Sequence, residues 1–307
     1  MNVDIDVSAK IIDGKKTSLL IREWIKSEIT KLKESYNFIP GLAVILVGDN
    51  PASQIYVKNK EKQSLESGMN SWKYILPADA SEKNIIEQII KLNKDSSVDG
   101  ILVQLPLPKI NTASERNIIN AISPDKDVDG LSIINSGKLF SGENGLSPAT
   151  PSGCILLLKE YCANLAGKKA LVIGRSNLVG KPIANMLLRE NCTVTMAHSK
   201  TKDLIEECRQ ADIIIAAIGI PNFIKGEWIK KDSIIIDVGI NRVESIDSSK
   251  KQIVGDVNFN EAIKVCSAIT PVPGGVGPMT IACLLVNTLI ASCTRRNIEA
   301  PIINTNF

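Results

Sequence analysis

Leu171-Val172-Ile173-Gly174-Arg175-Ser176-Asn177-Leu178-Val179-Gly180-Lys181-Pro182 runs from three β-favouring apolar residues through a glycine turn into Ile183 to Glu190, which has helical spacing. A strand, a glycine turn and a helix start in this order make a place where backbone N–H groups and the helix dipole hold a pyrophosphate. The spacing is G-x-S-x-x-x-G rather than G-x-G-x-x-G. Two readings therefore stand: a dinucleotide loop, or an ordinary βα turn that needs glycine for its φ angle. The end of the next expected strand sharpens the choice. NAD-binding versions carry an acidic residue there, about 20 positions on, to take the ribose hydroxyls. Here the strand ends in Ala197-His198-Ser199-Lys200-Thr201, without a carboxylate, and Arg175 projects from the glycine turn. A hydroxyl and cations in place of the acid suit a 2′-phosphate, so NADP is the expected cofactor. Its candidate binders are Gly174, Arg175, Ser176, Gly180, Ser199 and Ile240. His198 reads as a ribose or adenine neighbour, or as a satisfied strand-end histidine.

Outward from this loop, Thr193 to Met196, Asp212 to Ala216 and Ser233 to Val238 read as further strands, separated by helical stretches long enough for right-handed crossovers. That is the order of a Rossmann-type, doubly wound parallel sheet. The N-terminal half is a second α/β unit. Ile21, Ile25, Ile29 and Leu32 recur at helical spacing, and Gly41 opens the short apolar run Leu42 to Val47, which reads as a strand covered on both faces. A helix near 53 to 67, strands at Trp72 to Leu76 and Ile101 to Val103, and a Thr112/Glu115 capping box before a further helix complete it. Turn-formers concentrate in Ser147 to Gly153, where the domain boundary is expected. The apolar helix Thr280 to Thr294 is expected to pack back on the first domain. The division is 1–147 plus 284–307, and 148–283, with a cleft between the two.

Bulk properties limit the function classes. A length of 307 residues is comfortable for two cores, and aromatics are only 4% of the chain, so those cores should be aliphatic. A net charge of +3, with basic residues in short isolated pairs such as Lys15-Lys16, gives no stripe for nucleic acid. Seven cysteines without a C-x-x-C pair read as buried thiols in a reducing compartment, with no metal site. The N-terminal Met1 to Asp6 carries acid where a signal peptide carries base, and no stretch approaches the ~18 apolar residues needed to cross a bilayer, so a cytoplasmic protein without a membrane partner is expected. His198 is the only histidine, which excludes a multi-histidine metal centre and, away from His198, a Ser-His-Asp triad or a histidine acid/base. Proton transfer elsewhere falls to Lys, Tyr, Asp, Glu or Cys.

Ser53, Tyr56 and Lys60 stand at i, i+3 and i+7 of one expected helix and share a face. The strand Gly100 to Val103 delivers Gln104 at its C-terminal end, where open α/β sheets bind ligands. An acidic turn, Pro124 to Gly130, follows. Each has a bland reading: a solvated lysine, a strand-end cap, turn aspartates. Together they supply an amine, a phenol, an amide and a carboxylate for acid/base work and ring binding.

Ser53-x-x-Tyr56-x-x-x-Lys60, Gly100-Ile-Leu-Val-Gln-Leu-Pro-Leu-Pro108, Pro124-Asp-Lys-Asp-Val-Asp-Gly130, Gly174-Arg-Ser-Asn-Leu-Val-Gly-Lys-Pro182 and Pro271-Val-Pro-Gly-Gly-Val-Gly-Pro-Met-Thr280 resemble, in order and over nearly the whole chain, the signature segments of the methylenetetrahydrofolate dehydrogenase/cyclohydrolase family. The resemblance implies a folate-binding catalytic first domain, tetrahydrofolate derivatives as substrates, NADP as cofactor and a homodimer. It implies Lys60 as acid/base of the cyclohydrolase step, Tyr56 stacking on the folate rings, Gln104 orienting Lys60, and Asp129 accepting from the pterin amino face. Val103 and Leu105 are further substrate-binding candidates. Pro273, Gly274 and Gly275 would line the cleft between folate and nicotinamide. Ala149 stands where the family often has Cys, and Leu131 to Ile134 depart from a common Phe-His-Pro form, which bears on local packing. The rival readings are a monofunctional dehydrogenase, another two-domain NADP oxidoreductase of shikimate dehydrogenase type, and a catalytically silent dinucleotide sensor. The last has no use for Lys60, Tyr56 and Asp129 together.

Overall fold

In the computed structural model, which describes residues 9–245 and 248–303, β1 is Lys10–Ile11 and α1 is Gly14–Tyr36. There follow β2 (Gly41–Val47), α2 (Pro51–Glu66), β3 (Asn70–Leu76), α3 (Glu82–Lys94), β4 (Gly100–Val103), α4 (Glu115–Ala121), α5 (Ile133–Ser141) and α6 (Ala149–Tyr161). The second half runs β5 (Lys169–Ile173), α7 (Gly180–Arg189), β6 (Thr193–Ala197), α8 (Leu204–Gln210), β7 (Ile213–Ala216) and β8 (Ile234–Asp237). It ends with β9 (Asn241–Ser245), β10 (Ser248–Val254), α9 (Phe259–Ala262), β11 (Ala268–Ile269) and α10 (Val276–Thr294). These elements form two compact units: residues 19–149 with 281–303, and residues 9–18 with 150–280.

The unit holding residues 19–149 is built on a three-stranded parallel sheet of order β3-β2-β4. Every residue of β2 is buried, which is why its run does not alternate: both faces of a parallel strand are covered. Ile45, Val47, Ile101 and Val103 share a core with Ile85 and Ile89 of α3. β3 lies on one side of β2 and β4 on the other. The crossovers therefore diverge at β2, and a crevice opens beyond the C-terminal ends of β2 and β4.

The other unit contains a six-stranded parallel sheet of order β1-β11-β8-β7-β5-β6. Leu171, Ile173, Ile214, Ile235 and Ile269 lie in one aliphatic cluster on this sheet. Its topological switch point falls between β5 and β7, the place where a doubly wound sheet binds its ligand. The antiparallel pair β9–β10 is added after β8.

Four expectations need correction. Residues 9–18 belong with 150–280, not with the first domain, because β1 pairs with β11, Lys10 opposite Ala268 and Ile11 opposite Ile269. The breaks between units fall at 149/150 and 280/281, within α6 and α10, rather than at 147/148 and 283/284. The cap of α4 is Ser114, whose hydroxyl accepts from the Asn117 N–H at 3.3 Å, and not Thr112. Finally, α10 has 19 residues without a charged side chain and is long and apolar enough to cross a membrane. Of that stretch 78% is buried within the protein, the condition of a core helix.

Candidate active site

Asn50 caps α2, its side chain accepting from the N–H groups of Ala52 and Ser53, and Pro51 supplies a preset first turn. The inner stripe of this helix is Val57, Lys60 and Ser64. A lysine thus occupies a core-facing position, with only 6% of its surface exposed. Its Nζ donates to Gln104 Oε1 at 3.1 Å, and the Gln104 amide donates onward to the Leu105 carbonyl at 2.7 Å. Gln104 follows β4 directly, and its N–H is held by the Ile45 carbonyl of β2. The pair therefore sits at the switch point of the sheet. Burial pushes the Lys60 amine below its ordinary pKa, while the charge of Asp129 pulls the other way. Tyr56, one turn earlier, is 44% exposed, so its ring is open to a ligand. Ser53 is half-buried.

Asp129 is held by its turn. Asp127 is buried and accepts from the N–H groups of Leu131 and Ser132 and from the Asn135 amide. Lys126, also buried, donates to the carbonyls of Leu92 and Asp95 at the end of α3. From α10, the Asn287 amide donates to the Val128 carbonyl at 2.8 Å and to the Ser147 carbonyl at 2.7 Å. The residue before Asp129 is thereby clamped from outside the turn. Burial raises the Asp129 pKa first; Lys60 opposes the rise and Asp127 adds to it. Val103 is buried as the last residue of β4, and the Leu105-containing loop is tied down by the Leu107 N–H, which donates to Glu115 Oε1 at 3.0 Å.

In the other unit, Gly174 directly follows β5 with φ +125°, and a Cβ there would lie 2.2 Å from the Ala217 carbonyl oxygen. A Cβ on Gly180 would lie 2.2 Å from the Gly174 carbonyl oxygen. Both glycines are needed for close approach of backbone, one to β7's outgoing loop and one across the turn. Ser176 Oγ accepts from the N–H groups of Val179 and Gly180, so its hydroxyl shapes the turn. Arg175, Ser176 and Ser199 are exposed, and Ile240 is 52% exposed beyond β8. Gly174 donates its N–H to the Ala197 carbonyl, which brings the start of the 198–201 segment beside the turn. His198 Nδ1 accepts from the Lys200 N–H, the satisfied strand-end arrangement. Pro273, Gly274 and Gly275 form a turn closed by the Gly275 N–H on the Pro271 carbonyl, and the Gly274 carbonyl accepts from Lys15. This turn lies in the unit of the glycine loop, not that of Lys60.

Residues 12–129 match the tetrahydrofolate dehydrogenase/cyclohydrolase catalytic domain, and residues 148–296 match the NAD(P)-binding domain of the same family. The chain belongs to the tetrahydrofolate dehydrogenase/cyclohydrolase family. A relative called bifunctional protein FolD, from Rhodospirillum centenum, is 54% identical over 299 residues, covering 95% of this chain and 97% of the relative. The crystal structure of the bifunctional FolD enzyme of Campylobacter jejuni superposes with a TM-score of 0.89 at 48% identity, covering 94% of this chain and 99% of that one. The Trypanosoma brucei dehydrogenase-cyclohydrolase, solved with NADP cofactor and an inhibitor, gives 0.88 at 36% identity, covering 95% and 99%.

The turn at Gly174 fits the dinucleotide that this family's second domain binds. The N–H groups of Arg175, Ser176, Asn177 and Leu178 find no acceptor among the described residues, and they precede the ten-residue helix α7. The departures from the family pattern are absorbed locally. Ser132 caps α5, accepting from the Asn135 N–H, and Ala149 is buried as the first residue of α6. Sequence reasoning missed Asn287, Asp127 and Lys126. Asn287 carried a signal, since an amide in an otherwise apolar helix must find a partner when buried.

Proposed function

We propose that the protein is a bifunctional enzyme that oxidises 5,10-methylenetetrahydrofolate to the 5,10-methenyl form with NADP and hydrolyses that product to 10-formyltetrahydrofolate. The observation that carries this reading, within a family of dehydrogenase/cyclohydrolases, is the buried Lys60 amine held by Gln104 at 3.1 Å. When bound, NADP supplies the hydride acceptor. The carbon that loses hydride lies between two nitrogens whose lone pairs stabilise the resulting cation, so this step asks the protein for position rather than for a base. Hydrolysis needs proton management. The Lys60 amine, kept neutral more readily by burial, takes a proton from the water that attacks the methenyl carbon. The same group returns that proton to the ring nitrogen released when the carbon–nitrogen bond breaks, and the remaining hydroxyl proton leaves to solvent as the formyl carbonyl forms. Gln104 fixes the amine's direction, Tyr56 offers its ring face to the pterin, and the Asp129 carboxylate accepts from the pterin's amino groups.

Gly174, Arg175, Ser176 and Gly180 would cradle the pyrophosphate, with Arg175 and Ser199 on the 2′-phosphate and Ile240 against the cofactor. A reducing, cytoplasmic setting fits seven free cysteines, six of them buried. A homodimer follows from the family resemblance.

The test follows NADPH formation with methylenetetrahydrofolate, then the decay of methenyl absorbance. The purified protein should show both. Methenyl product that accumulates and decays only at the uncatalysed rate would make it a monofunctional dehydrogenase, and absence of both signals would overturn the reading.

A further inference from the structure

Asp237 ends β8 and Asp256 follows β10, and both carboxylates are almost wholly buried, 3% and 0% exposed. They act in series. Asp237 Oδ1 accepts from the N–H groups of Gly239 and Asp256, and its Oδ2 accepts from the Val257 N–H. Asp256 in turn accepts at Oδ2 from the N–H groups of Ile218 and Gly219, at 2.7 and 2.9 Å, and at Oδ1 from the Asn241 amide at 2.8 Å. One side chain thus ties together the loop after β7 and the loop after β8.

Both loops lie at the C-terminal edge of the sheet, and the loop after β7 borders its switch point. The first begins at Ala217, whose carbonyl is the group that would collide with a Cβ on Gly174. The second carries Ile240 immediately before Asn241. Buried charge on this scale is costly unless every oxygen is used, and a fold needing only hydrophobic closure gains nothing from it.

We infer that Asp256 is a positioning residue of the dinucleotide site, setting the Ala217–Gly219 loop against the glycine turn and holding Ile240 through Asn241. The inference rests on the reading of Gly174 and Arg175 as the cofactor turn.

The test compares Asp256→Ala, Asp256→Asn and Asn241→Ala in the full-length protein, with Arg175→Ala as the control for the site itself. Hydrolysis of methenyltetrahydrofolate uses no dinucleotide and reports separately on the other unit. Asp256→Ala removes three hydrogen bonds to a charged acceptor, and KM for NADP should rise at least about tenfold, with the dehydrogenase kcat at saturating NADP falling much less. Cyclohydrolase rates should stay at the wild-type level. Asp256→Asn keeps an acceptor oxygen and should recover most of the affinity. Asn241→Ala removes a single arm and should raise KM by about threefold, which keeps the question answerable if Asp256→Ala does not fold. An unchanged KM in Asn241→Ala, and in Asp256→Ala where that variant folds, beside a raised KM in Arg175→Ala, overturns the role of Asp256 alone. Parallel loss of both activities with a lowered Tm makes the network purely structural and overturns it too. Unchanged NADP affinity in Arg175→Ala as well removes the cofactor-site reading underneath.

Discussion

Lys60 Nζ and Gln104 Oε1 are 3.1 Å apart, and they come from α2 and from the end of β4, two elements that the sheet order β3-β2-β4 brings to one crevice. An amine buried with one amide acceptor is poised to change protonation state, because its charged form has lost most of its hydration. Removing that acceptor should therefore be costly. Gln104→Ala should reduce the cyclohydrolase rate by about tenfold or more, since a hydrogen bond to a charged partner contributes about 1.5–3 kcal/mol. Steady-state decay of methenyltetrahydrofolate measures it, and a wild-type rate would count against Gln104 as the orienting group.

The Asp129 charge raises the Lys60 pKa, opposing burial. Asp129→Asn removes that opposition, so the Lys60 pKa falls further. If the neutral amine is the active form, the rising limb of the hydrolysis rate against pH moves to lower pH in this variant. With Asp129 accepting from the pterin as proposed, KM for the folate should rise at the same time. A limb displaced to higher pH would contradict the base role.

Asn287 satisfies the carbonyls of Val128 and Ser147 from α10. Asn287→Ala leaves both without that donor and should destabilise the protein by about 1–3 kcal/mol, with a raised KM for the folate and NADP affinity unaltered. Urea unfolding with substrate titration tests this. Unchanged stability and unchanged KM would mean that the Asp129 turn holds itself.

Asp237 is raised to about 6, mainly by burial, with the neighbouring Asp256 charge adding to the effect and three N–H donors opposing it. A carboxyl whose folded pKa lies above its unfolded value binds more protons in the native state between the two, so stability falls as pH rises from about 4 to 6. The shift of about two units corresponds to about 3 kcal/mol. The stability difference between Asp237→Asn and wild type should therefore move by up to that amount in favour of the variant between pH 4 and pH 7. A pH-independent difference would contradict the raised value.

Much of this was legible in residue patterns. The Leu42 to Val47 run announced a strand covered on both faces, and the glycine turn after Leu171-Val172-Ile173 announced the dinucleotide edge of a parallel sheet. Lys60 and Tyr56 were visible through helical spacing. What stayed hidden depends on distant partners. β1 is two residues long and exists because β11 lies beside it, more than 250 positions along the chain. The cap of α4 was misplaced because Thr112 and Ser114 both carry hydroxyls. The choice fell to Ser114 where Asn111 pins the preceding loop through the carbonyls of Ala78 and Ala80. Asp256 looks ordinary in sequence, and Asn287, an amide in an apolar helix, signals only that it needs a partner, since each acts on backbone groups that only the folded chain brings near.

The most direct measurement pairs the two activities in Lys60→Met. The substitution keeps side-chain length and removes the amine, so methenyltetrahydrofolate hydrolysis should fall to the uncatalysed rate while NADP binds with wild-type affinity. Hydrolysis at the wild-type rate in a folded, NADP-binding Lys60→Met protein would contradict the account.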